Sequence, residues 1–297
     1  MPKKVLITGG SGFIGRNVFE HLKDNPQFEV MAPDSKELNC IEENEVKDYL
    51  KKNNFDLVLN FAVYGDGIDK SKDGTKILDY NLRMYYNFAR YSDMYGKMIY
   101  AGSGAEYDKR FPIIDVKEED LKDRWMPSDQ YGLMKRIVGE HIEASDNIYN
   151  FRLFGIFGKY EYYPLKFISN VCCKSIFDLP LSIRQDVYFD YLWIDDFLSI
   201  LDRFLEIDVP KYHTYNVCHG EKILLSDICK TVNKISNKDN RIIICKEGLA
   251  NEYTGSSNRI VKELQGFDFT GYYDSIEQLY KWYYDNKNEI EIYKLLY

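Results

Sequence analysis

The chain has 297 residues, 45% hydrophobic and 29% charged, which is enough to bury a core without disulfide or metal staples. Its 47 acidic against 39 basic residues leave a formal net charge of −8, which argues against nucleic acid as a partner, because phosphate binding wants a basic face. No apolar run approaches the roughly 20 residues needed to cross a bilayer. The run Val5-Leu6-Ile7 is too short for a signal-peptide core, and the cysteines at 40, 172, 173, 218, 229 and 245 show no CxxC spacing. A cytoplasmic protein with reduced thiols, no membrane partner and no metal site is therefore expected.

Taken in chain order, the first half alternates short β-rich runs with helical patterns. Strands are expected at Val5–Thr8, Phe28–Ala32, Phe55–Asn60, Met98–Ala101 and Ile148–Arg152, and helices at Phe13–Asp24, Glu43–Asn53, Tyr80–Tyr95 and Gln130–Ala144. This alternation predicts parallel βαβ units. Beyond Gly158 it loosens, with helices at Pro164–Ser175, Asp195–Leu205, Leu225–Ile235 and Ser275–Lys287 and strands at Asp190–Ile194 and Arg241–Cys245. Leu249–Asn258 reads as a polar loop, and Tyr160–Phe167 either walls a ligand pocket or is a packed aromatic loop, the latter favoured. The expected fold is α/β: a doubly wound parallel sheet of Rossmann type with a smaller C-terminal α/β domain. The division places a dinucleotide-binding domain at 1–160, with a return near 190–218, and a substrate domain at 161–189 and 219–297.

The most informative stretch is Thr8-Gly9-Gly10-Ser11-Gly12-Phe13-Ile14-Gly15, where a strand ends, three glycines follow at spacing three and a helix begins. Gly9 permits a tight turn, Gly12 lets backbone approach a pyrophosphate, and Gly15 lets the helix pack closely on the strand. The helix start at Phe13 and Ile14 then offers free N–H groups and a partial positive charge to an anion.

Tyr131 and Lys135 form a YxxxK pattern on an expected helix, so phenol and ammonium share one face. An ammonium beside a phenol favours the phenolate and fits the pair for proton transfer near neutral pH. Upstream, Ala101-Gly102-Ser103-Gly104-Ala105-Glu106 follows an expected parallel strand, at the end where ligands of open α/β sheets bind. Ser103 either hydrogen-bonds a substrate oxygen there or caps the turn.

The GxxGxxG turn, YxxxK and the upstream Ser together resemble the extended branch of the short-chain dehydrogenase/reductase superfamily, the NAD-dependent epimerase/dehydratase family of nucleotide-sugar enzymes. The resemblance implies Tyr131 as general acid/base, Ser103 as the group orienting the reacting oxygen, and Lys135 as the residue holding the nicotinamide ribose and tuning Tyr131. It places Asn60 and Ala62 near the cofactor and makes Asn81 a structural residue. It implies a nucleotide-sugar substrate, met by Ser103, Gly104 and Arg184, and a homodimer. The segment Phe151–Gly158 resembles R-x-x-N-x-Y-G with Gly155 in place of Asn, and Asp190–Asp196 resembles D-(F/Y)-x-x-V-x-D.

After the second strand stand Asp34, Ser35 and Lys36, followed by Asn39. An acidic residue there suits the ribose diol of NAD, whereas Ser35 and Lys36 suit a 2′-phosphate. With Glu37-Leu38-Asn39 resembling the GDP-fucose synthase relatives, NADP(H) is favoured and NAD(H) is the alternative. Ser103-Gly104-Ala105 lacks both the acid–base run of the 4,6-dehydratases and the Cys of the fucose synthases, and no His lies between His141 and His213. Hydride transfer with one Tyr-mediated proton remains. Reduction of a nucleotide-linked 4-keto-6-deoxy sugar is expected, with 4-epimerisation on tightly held NAD as the alternative and a non-catalytic cofactor-binding regulator as a third. Glu106, Asp108 and Lys109 are the places where an unrecognised second acid could lie.

Overall fold

The computed structural model describes residues 1–65 and 72–296. The elements of the first half are β1 (Lys3–Thr8), α1 (Phe13–Leu22), β2 (Phe28–Met31), α2 (Glu43–Asn53), β3 (Leu57–Asn60), α3 (Ile77–Ala89), β4 (Lys97–Ser103), β5 (Ile113–Val116), α4 (Gln130–Ile142), β6 (Ile148–Leu153) and β7 (Gly155–Phe157). There follow α5 (Phe167–Ile176), β8 (Leu181–Asp186), β9 (Tyr188–Phe189), β10 (Tyr191–Trp193), α6 (Ile194–Leu205), β11 (Thr214–Val217) and β12 (Ile223–Leu224). The chain continues through α7 (Leu225–Ser236), β13 (Ile242–Leu249), β14 (Tyr253–Gly255), α8 (Asn258–Glu263) and α9 (Tyr272–Asp285).

The chain divides into two compact units. The first comprises Met1–Arg110, Glu118–Leu153 and Phe204–Asn216; the second comprises Phe111–Lys117, Phe154–Arg203 and Val217–Tyr297.

The first unit carries a six-stranded sheet in the order β11-β6-β4-β3-β1-β2. The pairs β2–β1, β1–β3, β3–β4 and β4–β6 are all parallel. Every residue of β3 and β6 is buried, as expected of central parallel strands covered on both faces. Leu6, Val58, Met98, Tyr100 and Ile148 of the sheet share one core with Val46 and Leu50 of α2, Tyr85 and Phe88 of α3, and Met134, Val138 and Ile142 of α4. The chain leaves β1 for β2 on one side and returns to β3 on the other. The strand order therefore reverses at β1, and a crevice opens beyond its carboxyl end.

The second unit holds a four-stranded sheet, β12-β9-β14-β5, and the two-stranded pairs β10–β7 and β13–β8. Segment 111–117 belongs here because β5 pairs in parallel with β14. The aromatic loop after Tyr160 is packed as expected: Tyr160 meets Trp282, and Tyr163 meets Tyr283, both edge to face.

The strand–helix alternation of the first half is observed, while the short strands β5, β7, β8, β9 and β12 and the helix α8 were not expected and other elements along the chain differ from expectation. The third helix starts at Ile77 and ends at Ala89, and Ser92–Met94 is a separate 3-10 turn. Leu249–Asn258 is no simple loop, because Tyr253–Gly255 is the buried strand β14. Strand β11 was not expected, since Thr214 and Asn216 break its apolar run; both are fully buried, and Tyr107 donates to the Asn216 side-chain oxygen Oδ1 at 2.9 Å while Glu118 accepts from the Asn216 backbone N–H at 2.8 Å.

Asn81 is the structural residue its position implied. Its amide donates to the Tyr64 carbonyl at 2.8 Å and to the Ile77 carbonyl at 2.7 Å, and its oxygen accepts from the Tyr64 N–H at 2.9 Å. Replacing Asn81 by Ala removes these three bonds to part-buried backbone groups and is expected to cost about 1–3 kcal/mol. Urea unfolding of the two proteins measures it.

Candidate active site

The glycine turn lies at the point where the sheet order reverses. Gly9 has φ of +70°, and a Cβ there would come within 2.8 Å of the Ala62 nitrogen, so backbone after β1 and backbone after β3 touch. Gly12 closes the turn, its N–H donating to the Gly9 carbonyl at 3.0 Å, and stands as the N-cap of α1. No side chain caps α1 and no acidic residue occupies its first turn. The N–H groups at Phe13 and Ile14 therefore keep their donor capacity for an anion. A Cβ on Gly15 would overlap the Gly9 carbonyl oxygen; this glycine lets the helix close onto the turn itself rather than onto the strand. Gly10 also matters, because a Cβ there would fall 2.8 Å from the Ala32 side chain.

Asn60 lies at the end of β3, beside the glycine turn. It is buried, its oxygen accepting from the Thr8 hydroxyl at 3.1 Å, and Thr8 in turn accepts from the Ala62 N–H at 3.2 Å. Thr8, Asn60 and Ala62 thus brace the glycine turn from below. Asp34 is exposed, but its carboxylate accepts from the Lys36 N–H at 2.7 Å and the Glu37 N–H at 3.1 Å. It acts as a local turn cap. Ser35 and Lys36 are exposed beside it, and the Asn39 side chain accepts from the Ile41 N–H at 3.2 Å.

At the end of β4, Ser103 is buried and starts the 3-10 turn Gly104–Tyr107. Its Oγ accepts from the Ala105 N–H at 3.1 Å, while Glu106 reaches back to the Ser103 N–H at 3.3 Å. This is a capping box. The two readings of Ser103 coexist, because Oγ accepts in the cap and keeps its own proton to donate. Gly104 is buried in the same turn.

Asp129 caps α4, accepting from the Gly132 N–H at 2.8 Å. Tyr131 is half-buried on the first turn, and Lys135 is 4% exposed on the second. The Lys135 ammonium lies 5.6 Å from the centre of the Tyr131 ring and 4.4 Å from that of Tyr100. It donates to the Ala101 carbonyl and, at 3.1 Å, to the Tyr100 hydroxyl. Burial pushes its pKa down to about 7, against the opposing charge of Glu106. Tyr100 is the residue the sequence reading missed; only its buried place beside Lys135 marks it.

The other candidates are accounted for. Arg184 lies on the exposed side of β8 in the second unit. At Gly155, the departure from the R-x-x-N-x-Y-G pattern, a Cβ would come within 2.7 Å of the Asp190 carbonyl and the Phe189 ring. Asp190 is buried and ties down the chain, accepting from the His219 N–H at 2.8 Å and the Gly220 N–H at 3.0 Å; burial raises its pKa to about 7. Asp196 accepts from the Thr270 hydroxyl at 2.7 Å. Glu106 is fully buried against Arg152, and Asp108 is paired with Arg110 at 2.7 Å.

The sheet order and the glycine turn place the first unit in the Rossmann class of dinucleotide-binding folds, and the bare start of α1 beside Gly12 fits a pyrophosphate. A model of the NAD dependent epimerase/dehydratase family matches residues 5–218, and the chain belongs to this family. It is 30% identical over 109 residues to the GDP-L-colitose synthase of Yersinia pseudotuberculosis, a match covering 36% of this chain and 35% of that protein. The matched stretch thus spans about a third of the relative's length.

Solved structures with the same fold include a GDP-L-fucose synthetase from Naegleria fowleri, with TM-score 0.82, 15% identity, and coverage of 96% of this chain and 94% of that one. A GDP-mannoheptose C4 reductase from Campylobacter jejuni with NADP bound has TM-score 0.79, 16% identity, and coverage of 95% and 98%. A UDP-glucuronic acid 4-epimerase from Bacillus cereus in complex with UDP-glucuronic acid and NAD has TM-score 0.72, 19% identity, and coverage of 96% and 99%.

The depressed pKa of Lys135 has a signed consequence. Below about pH 7 the native state carries a buried ammonium; between there and the ordinary lysine value of 10.5 it is neutral while the unfolded chain keeps its proton. The unfolded state then binds more protons, so this group's contribution to stability rises with pH across that window. Urea midpoints of wild type and Lys135→Met, taken at about pH 6.5 and 10, are expected to shift in favour of the wild type at the higher pH.

Proposed function

We propose that this protein is an NADPH-dependent reductase of a nucleotide-linked 4-keto-6-deoxy sugar. The observation that carries the reading is the restricted acid–base equipment around the Ser103 turn. Ser103, Tyr131 and Lys135 come from adjoining elements, while the neighbouring acids Glu106 and Asp108 are already bound to arginines. A dehydratase or a 3,5-epimerase needs a second free acid or base; a ketone reduction does not. The exposed Ser35 and Lys36, beside an Asp34 engaged in its own turn, support NADP(H) over NAD(H). The kinship with a GDP-L-colitose synthase and the shared fold with a GDP-mannoheptose C4 reductase that binds NADP support the substrate class.

The roles follow from the chemistry of the side chains. The backbone at Gly9–Gly12 and the N–H groups at Phe13 and Ile14 hold the pyrophosphate, and Ser35 and Lys36 hold the 2′-phosphate. When bound, the nicotinamide supplies a hydride to the sugar carbonyl carbon. Tyr131 donates its phenolic proton to the carbonyl oxygen as negative charge develops there, and Ser103 donates a hydrogen bond to the same oxygen. Lys135, in its charged form, favours the phenolate that remains. Gly104 meets the nucleotide sugar. The protein acts in the cytoplasm as a homodimer, which sedimentation equilibrium tests.

Purified protein is expected to oxidise NADPH with nucleotide-linked 4-keto-6-deoxy sugars, and Tyr131→Phe to lower kcat by about 10²–10⁴-fold. Interconversion of unreduced sugar nucleotides without net NADPH oxidation would point instead to the 4-epimerase. Full biological activity of the Tyr131→Phe variant would identify a non-catalytic regulator.

A further inference from the structure

We propose that Glu106 is a positioning residue for this reaction, its buried carboxylate holding the Ser103 turn in place and supplying a negative charge that acts on Lys135. The inference rests on the reductase reading and adds to it a group that touches neither substrate nor cofactor.

The carboxylate is fully buried, and each of its oxygens is engaged. Oε1 accepts from the Ser103 N–H at 3.3 Å and from the Asn150 amide at 3.2 Å; Oε2 accepts from Arg152 Nε at 2.6 Å. Arg152 is held from behind by the Tyr107 hydroxyl at 3.2 Å, which donates onward to Asn216. Two glycines make the space. A Cβ on Gly102 would fall 2.8 Å from Oε1, and one on Gly139 would fall 2.6 Å from Oε2. Gly139 belongs to α4, so the helix bearing Tyr131 and Lys135 lies directly on the carboxylate. Gly132 repeats this closeness a helix turn away from Lys135, where a Cβ would be 3.0 Å from the Ala105 carbonyl.

One charged group thus joins β4 with Ser103, α4 with Tyr131 and Lys135, and β6 with Arg152. A buried ion pair is a poor means of gaining stability, since a well-packed apolar pair of similar volume serves as well or better. What it supplies here is fixed geometry for Ser103 and an electrostatic partner for a lysine that burial would otherwise discharge. The titratable groups facing Lys135 are Tyr100, Tyr131 and Glu106, with Tyr85 packed behind Tyr100. Glu106 alone among them favours the ammonium as a standing negative charge. Bound to Arg152, it is no proton donor.

The test compares E106Q with E106Q/R152Q, the latter leaving no unpaired buried charge if the single variant fails to fold. Both are assayed with NADPH and the 4-keto-6-deoxy sugar nucleotide, alone and in an S103A background. A displacement of Ser103 on the scale of an ångström is expected to lower kcat about a hundredfold. In the S103A background the same change is expected to cost little more, because the two residues act as a unit. The alkaline limb of kcat/KM is expected to move to lower pH, as Lys135 loses its proton earlier. Wild-type kcat in the double variant, losses that multiply with S103A, or an unmoved alkaline limb overturns the inference. Wild type and S103A equally inactive, with NADPH still bound, instead removes the reductase reading on which it stands.

Discussion

An ammonium without water around it is the constraint from which the arrangement of the first unit follows. Lys135 is enclosed by the end of β4 and the face of α4, and its hydrogen-bond acceptors among the described residues are the Ala101 carbonyl and the Tyr100 hydroxyl. Removing a charge from water costs several kcal/mol unless neighbours replace the hydration shell. The neighbours here are a carbonyl, a phenol, two aromatic faces and a carboxylate farther off. Their incomplete compensation leaves the lysine close to losing its proton near neutrality. An ionised group in that condition responds strongly to any charge brought near it, which is the property a proton-transfer site needs.

The polar groups around this centre are arranged so that few are idle. Thr8 and Asn60 support the glycine turn, Asn81 holds the chain after β3, and Ser103 and Glu106 cap each other's backbone. Each commitment removes a side chain from the pool able to do chemistry. Asp34 spends its carboxylate on a turn, and Glu106 and Asp108 spend theirs on arginines. Among the described residues, these carboxylates are therefore committed to holding the backbone and the arginines in place. The second unit obeys the same economy, with Asp190 burying a carboxylate to fasten the backbone at His219 and Gly220.

Close approach at glycine, to backbone or to a buried side chain, is the other recurring device. Gly9 against Ala62, Gly15 against Gly9, and Gly139 against Glu106 are positions where a methyl group would collide. Each lets two elements come nearer than side chains permit. The first two bring the start of α1 to the point of strand reversal, where the dipole of the helix and its unpaired N–H groups converge. The third sets α4 onto the turn that bears Ser103. Glycine placement thus determines which reactive groups meet.

Local signals in the sequence were sufficient for most of the first unit. The period-two and period-3.6 patterns marked its strands and helices, and the GxxGxxG spacing marked the turn between β1 and α1. The i, i+4 spacing of Tyr131 and Lys135 put both on one helical face before any contact was known. What local signals could not show was partnership across distance. That Tyr100 would face Lys135, that Glu106 would be bound by Arg152 some 46 residues on, and that Thr214 and Asn216 would lie inside a sheet all depend on burial. A polar residue reads as exposed until the fold provides its hydrogen-bond partner. The tertiary structure decided these points because the cost of an unpaired buried polar group is set by neighbours brought together from remote parts of the chain.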